Sequence, residues 1–316
     1  MSEPVPVNFE NFVQAETARM FVDLQKAAGG VNQLHHFRTP TPLDQQTVIR
    51  MNRDTLYSWA IADISGGATL TIPDPGDRYT SVMVVNEDQY INRILHDPGD
   101  HQLTVDEFDT PFVLVAVRTL VDPVDPDDVA AVNALQDQFG FSANSDNPYQ
   151  PVAYDEASLT ATRQALLELG KGLTGFERAF GSRDDVDPVR RLIGTALGWG
   201  GLPEYEASYI NVNPGLPVGE YELTATDVPV DAFWSISLYN AEGYFEPNDR
   251  NANSVNSITG IPNDDGSITV HFGGCSDERQ NCLPIMDGWN YTVRLYRPRQ
   301  TLLDGSWTFP TITTRS

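Results

Sequence analysis

The chain has 316 residues, enough for two domains or one unusually large core. Forty-four acidic residues against twenty basic ones give a formal net charge of −24, with no basic stripe to offset it. That balance argues against nucleic acid or an anionic membrane as a partner, because neither gains counterion release or surface attraction from such a protein.

Lysine occurs only at Lys26 and Lys171, while arginine and aspartate are used freely, a pattern suited to solubility in high salt. The start MSEPVPVNFE lacks the basic and then apolar stretches of an export signal. No apolar run approaches the roughly 18 residues that a membrane span needs. A soluble protein is expected, with the cytoplasm favoured.

Apolar residues at Phe9, Phe12, Val13, Met20, Phe21, Leu24 and Ala28 recur close to a helical period, and Gly29-Gly30 stops the run, so a packing helix is expected there. From Thr47 to about Arg118 the pattern turns to short β-rich runs: TVIRMN, TLYSWAIADI, ATLTI, YTSVMVV, YINRIL and FVLVAVRTL. SGG, PDPGDR and DPGD break them with turn chemistry. The segment DPVDPDDVAAVNALQDQF predicts a helix with Val129, Val132, Leu135 and Phe139 on one face. A second helix is expected from Asp155 to Phe180, and a third starts at Asp187-Pro188 and ends at Gly198 to Gly201.

β patterning resumes with SYINVN, YELTAT, AFWSISLY, SITVHF and NYTVRLYRP. Phe233, Ser235, Ser237 and Tyr239 share one side of their strand, opposite Trp234, Ile236 and Leu238. One face of this sheet should pack a core while the other meets solvent or a cavity. The expected fold is mainly β with α additions: two β-sandwich-like parts, or a sandwich beside a jelly roll, with a helical segment between them. The corresponding division is 1–124, 125–204 and 205–316.

Cys275 and Cys282 lie in the polar loop GGCSDERQNC. They either close a small surface ring as a disulfide or remain thiols in a reducing cytosol. With His271 they offer only three ligands at a spacing unlike a closed zinc knuckle, and His35-His36 also lacks a recognised ligand spacing, so no metal site is assigned.

The densest hydrogen-bonding chemistry is Asn52-Arg53-Asp54-Thr55-Leu56-Tyr57-Ser58. Arg53 can offer a planar fork to a carboxylate or phosphate, Asp54 can orient it or act as a base, Asn52 and Thr55 can add neutral hydrogen bonds, and Tyr57 can complete the site. A second concentration at Tyr90, Asn92, Arg93, His96 and Asp97 puts an acid–base histidine beside a carboxylate. The same polar residues also suit a buried network that braces the sheet. No G-x-S-x-G elbow, P-loop, dinucleotide fingerprint or H-E-x-x-H occurs, and no cofactor is expected.

The run Asn52 to Ser58, with Thr71-Ile72-Pro73-Asp74 and Arg78-Tyr79, resembles the DUF1254 family of unknown function. Phe233 to Tyr239, Gly243-Tyr244-Phe245, Asp265-Gly266-Ser267, Arg294-Leu295-Tyr296 and Asp304 to Trp307 resemble the DUF1214 domain that accompanies it. The resemblance implies two β-sandwich-like parts, the second like a jelly roll, and self-association into a homo-oligomer, but no established reaction. Two functions follow as expectations. The first is binding of a small polar or anionic organic molecule or oligosaccharide through Asn52, Arg53, Thr55, Trp234 and Arg294, with Asp54, Tyr57 and His96 as candidate catalytic groups. The second is a non-catalytic structural or homo-oligomeric module.

Overall fold

The structure is a computed structural model that describes residues 3–46, 49–173, 175–277 and 279–315. Contacts divide the chain into two compact units. The first comprises Met1–Arg38, Leu56–Leu120 and Val129–Pro203; the second comprises Thr39–Thr55, Val121–Asp128 and Glu204–Ser316. In sequence, two β-rich regions are separated by a helical stretch.

The first unit opens with α1 (Phe12–Ala28). Gly29 ends it in the left-handed region at φ 87°, where its N–H reaches the Lys26 carbonyl and that of Gly30 reaches Gln25. The strands that follow are β1 (His35–His36), β2 (Thr55–Asp63), β3 (Ala68–Ile72), β4 (Thr80–Asn86), β5 (Ile91–Leu95) and β6 (Gly99–Leu103). After a short α2 (Val105–Phe108) come β7 (Phe112–Leu120), α3 (Pro126–Gln136) and β8 (Gly140–Ala143), then α4 (Glu156–Leu169) and α5 (Pro188–Gly198). β2 and α3 each straddle a boundary at which the chain passes between units.

Among the described residues, one sheet of this unit runs β1-β2-β7-β4-β5 and another β6-β3-β8. Ala62 of β2 and Ile64 just beyond it, Leu70 and Ile72 of β3, Val82 and Val84 of β4 and Val113, Val115 and Val117 of β7 form one core. β4 is buried along its whole length, which is why its sequence reads as a continuous apolar run rather than an alternation. Phe12, Val13 and Ala15 of α1 meet Leu159 and Leu166 of α4 and the apolar face of α5 in a second, helical core.

The second unit continues with β9 (Ala207–Val212), β10 (Tyr221–Ala225), β11 (Trp234–Tyr239), β12 (Ser254–Asn256), β13 (Ile268–Phe272), β14 (Cys282–Leu283) and β15 (Asn290–Tyr296), then α6 (Gln300–Leu303) and β16 (Thr313–Thr314). Its two four-stranded sheets, β14-β13-β10-β16 and β12-β11-β15-β9, share one apolar core in a sandwich-like arrangement. Trp234, Ile236 and Leu238 enter that core from β11, Tyr291, Val293 and Leu295 from β15, and Val270 and Phe272 from β13. A disulfide joins Cys275 to Cys282, closing the ring that the sequence left open as disulfide or thiols.

Three expectations need correction. The run TVIRMN is not a strand: Thr47 and Val48 lie outside the described residues, Ile49-Arg50 form a turn, and Met51 to Arg53 carry no regular structure. The helix expected to reach Phe180 stops at Leu169, because Gly170 caps it and Gly172 takes a positive φ of 86°. The far face of β11 meets neither solvent nor a cavity, since Ser235, Ser237 and Tyr239 are fully buried. Among the described residues no helix is long and apolar enough to cross a membrane.

Candidate functional site

The polar face of β11 and β15 is built by strand alternation. Ser235 and Ser237 stand on β11 and Thr292 and Arg294 on β15, with Ser235 opposite Arg294 in the antiparallel register. A sheet face of this kind has to be solvated or covered by groups that complete its hydrogen bonds. Residues 50 to 54 cover it.

Arg294 is 3% exposed and would carry a costly charge if its donors were idle. Its Nη1 donates to the Ser237 hydroxyl at 2.7 Å, and its Nη2 donates to the Tyr239 hydroxyl and the Arg50 carbonyl, both at 2.8 Å. Tyr239 donates in turn to the Met51 carbonyl at 2.8 Å. Burial works against the Arg294 charge, but Tyr239, Tyr296 and Asp54 outweigh it and hold the pKa above the usual arginine value.

Asp54 is 1% exposed, and its Oδ2 accepts from the Ser235 hydroxyl at 2.5 Å. Its Oδ1 has no partner among the described residues. Burial pushes the Asp54 pKa up, opposed by the Arg294 charge and the Ser235 hydrogen bond. Asn52 holds the turn: its Oδ1 accepts from the Asp54 N–H at 2.9 Å, while Nδ2 donates to the Tyr296 hydroxyl at 3.0 Å and the Thr55 hydroxyl at 3.3 Å. Asn52, Asp54, Thr55 and Arg294 therefore meet in one network whose central charges are closed to solutes.

Arg53 points elsewhere. Its guanidinium lies 6.0 Å from the Phe245 ring centroid, and its side chain makes no hydrogen bond or ion pair among the described residues. It lines a cavity of about 260 Å³ together with Asp122, Arg250, Asn251 and Asn256. Burial holds its pKa below the usual arginine value. Asn256 is 3% exposed; its Oδ1 accepts from Ile258 N, Thr259 N and the Thr259 hydroxyl, and its Nδ2 has no partner among the described residues. The cavity thus combines a guanidinium with an amide donor, which suits an acceptor-rich ligand. Arg250 donates to the Arg279 carbonyl at 3.0 Å and frames the wall.

Trp234, Tyr57 and His96 are not among the residues that line this cavity. Trp234 sits in the apolar core, edge-on to Phe309 at 5.8 Å between centroids. Tyr57 and His96 belong to the first unit. Tyr57 lies on β2 beneath the Arg118 guanidinium at 5.5 Å, while His96 follows β5, and β7 and β4 separate the two strands. His96 Nδ1 is 3.0 Å from the Thr80 carbonyl, which can only accept, so that nitrogen carries a proton. His36 Nδ1 meets the Ser58 hydroxyl at 2.7 Å. Among the described residues no three His, Cys, Asp or Glu side chains converge as a metal site. Sequence reasoning missed Asn256, Arg250 and Asp122; the asparagine-dense run from Asn248 to Asn256 was the available signal.

No curated protein matches the chain. A crystal structure of a Vibrio parahaemolyticus protein superposes with a TM-score of 0.76 at 18% identity, covering 98% of each chain. A putative uncharacterized protein from Burkholderia cenocepacia does so with a TM-score of 0.55 at 13% identity, covering 96% of this chain and 88% of that one. At such identities the likeness is one of fold. Two family models match in sequence order: the protein of unknown function DUF1254 over residues 31–143 and the protein of unknown function DUF1214 over residues 216–300. The chain is thus a member of the DUF1254/DUF1214 family, with its DUF1254 region first and its DUF1214 region second.

Proposed function

We propose that the second unit binds a small organic anion in the cavity lined by Arg53. One observation carries this reading: in a chain with 44 acidic residues, a half-buried arginine lines a cavity with no carboxylate paired to it among the described residues. A volume of about 260 Å³ is close to the lower end of small-molecule sites, so the ligand is compact. A carboxylate on it would take the Arg53 fork, and the Asn256 amide would donate to a second acceptor. Catalysis has weaker support, because Asp54 is sealed and Tyr57 and His96 lie outside the unit that holds the cavity.

Titration calorimetry with short mono- and dicarboxylates tests this. Binding at about millimolar affinity or tighter is expected for the wild type, lost in Arg53→Ala and partly kept in Arg53→Lys. Equal binding by Arg53→Ala, or none by the wild type, overturns it.

A second reading, a non-catalytic structural or homo-oligomeric module, is favoured by the Asp54–Ser235–Arg294 network, which accounts for most of the motif through internal bonds. On this reading the second unit is a jelly roll, supported by its two four-stranded sheets on one core. Sedimentation of the purified protein tests self-association.

A further inference from the structure

In the first unit, Tyr90 carries two cations. The guanidinium carbon of Arg191 lies 4.1 Å from its ring centroid and that of Arg183 lies 4.6 Å from it. A ring face attracts one cation, but two guanidinium groups drawn to the same ring also repel each other. Neither forms an ion pair among the described residues. Asp88, the acid whose charge reaches Arg191, accepts instead from the Gln14 amide at 3.0 Å, and Arg191 donates to the Asp88 backbone carbonyl.

The cluster is also short of acceptors. Arg191 Nε and Gln89 Nε2 are both buried without a partner among the described residues, and Gln89 is 3% exposed. Arg183 itself is exposed and makes no hydrogen bond among the described residues, so its fork is open to solvent. In a protein with more than twice as many acids as bases, two arginines on one ring, neither in an ion pair among the described residues, are a feature that an external anion completes.

We infer that Arg183 and Arg191, held on Tyr90, form a binding site for a phosphate group, free or carried by a small metabolite. Two guanidinium groups held by one ring, close enough for the charge of one to act on the other, suit a compact tetrahedral group that spreads nearly two negative charges over three oxygens. This site is independent of the Arg53 cavity, which lies in the other unit.

Thermal unfolding with inorganic phosphate, and separately with glycerol phosphate, tests it against chloride at matched ionic strength. A saturable rise in Tm is expected for the wild type, with an apparent affinity about tenfold or more weaker in Arg183→Ala. Arg190→Ala removes the same charge from an arginine already paired with Glu177 and is expected to keep the response. A response to glycerol phosphate alone identifies the metabolite-borne group as the ligand, and a response to both identifies phosphate itself. No response to either probe in the wild type, an undiminished response in Arg183→Ala, or equal loss in Arg190→Ala overturns the assignment.

Discussion

Ser235 donates its hydroxyl hydrogen to Oδ2 of Asp54 at 2.5 Å, across 181 positions of chain, and both residues are buried. The bond fastens the segment around Asp54 to the middle of a sheet made much later in the chain. Oδ1 has no partner among the described residues, so this bond stands beside the Arg294 charge in relieving a buried acid.

Ser235→Ala removes that relief without opening a large cavity. It is expected to lower stability by about 1–3 kcal/mol, read as a lower urea midpoint at unchanged slope. An unchanged midpoint would show that Asp54 finds another donor.

The pKa of Asp54 is raised in the folded state above its usual 3.8. Its contribution to stability is therefore fully present below that value and is lost as pH rises through the folded pKa. Asp54→Asn keeps an acceptor for Ser235 and does not titrate. It should match the wild type near pH 3.8 and become the more stable of the two as the pH rises toward neutrality. Denaturation of both proteins across that window decides the sign, and a gap that closes toward neutral pH contradicts it.

Arg294 and Arg53 should behave as opposites. Arg294→Ala leaves the Tyr239 hydroxyl and the Arg50 carbonyl without their donor and Asp54 without a nearby cation, a loss of about 3–5 kcal/mol by analogy with broken buried pairs. Arg53→Ala breaks no hydrogen bond among the described residues and should change stability by less than about 1 kcal/mol. Equal costs would make Arg53 a structural brace and weaken the proposed ligand role.

The Cys275–Cys282 disulfide closes a loop between residues seven apart in sequence, and Cys282 also lines the Arg53 cavity. Reduction should cost about 2 kcal/mol through the freed unfolded chain and should loosen the cavity wall. Thermal melts with and without reductant test the first effect, and carboxylate titration under the same conditions tests the second.

Much of the fold was legible. β7 reads directly from FVLVAVRTL because a strand buried on both faces needs continuous apolar and β-branched residues, and α5 announces itself through Asp187, whose side chain accepts from Val189 and Arg190 N–H. GDHQL of β6 carries no such pattern, since most of its residues are exposed or half-exposed on an outer strand and its pairing partner supplies the order. TVIRMN misled for a related reason. The Arg50 and Met51 carbonyls find donors in Arg294 and Tyr239, roughly two hundred residues away, where no local period records them. In the site, Arg53 was visible as a cation, but Asp122 and Asn256 approach it through chain topology alone.

The segment at residues 50 to 54 is assigned to the second unit, although it precedes most of the first in sequence. At synthesis rates of about 5–20 residues per second, Asp54 is made roughly 10–40 s before the Ser235 that will receive it, 181 positions later. During that interval a stretch destined for burial has no sheet to cover. A fragment beginning at Glu204 would have the reverse defect: its β11–β15 sheet would lack the Arg50 and Met51 carbonyls that receive Arg294 and Tyr239. The DUF1214 region therefore depends for its completion on a few residues from the opening sixth of the chain, and supplying them as a separate peptide should restore its folding.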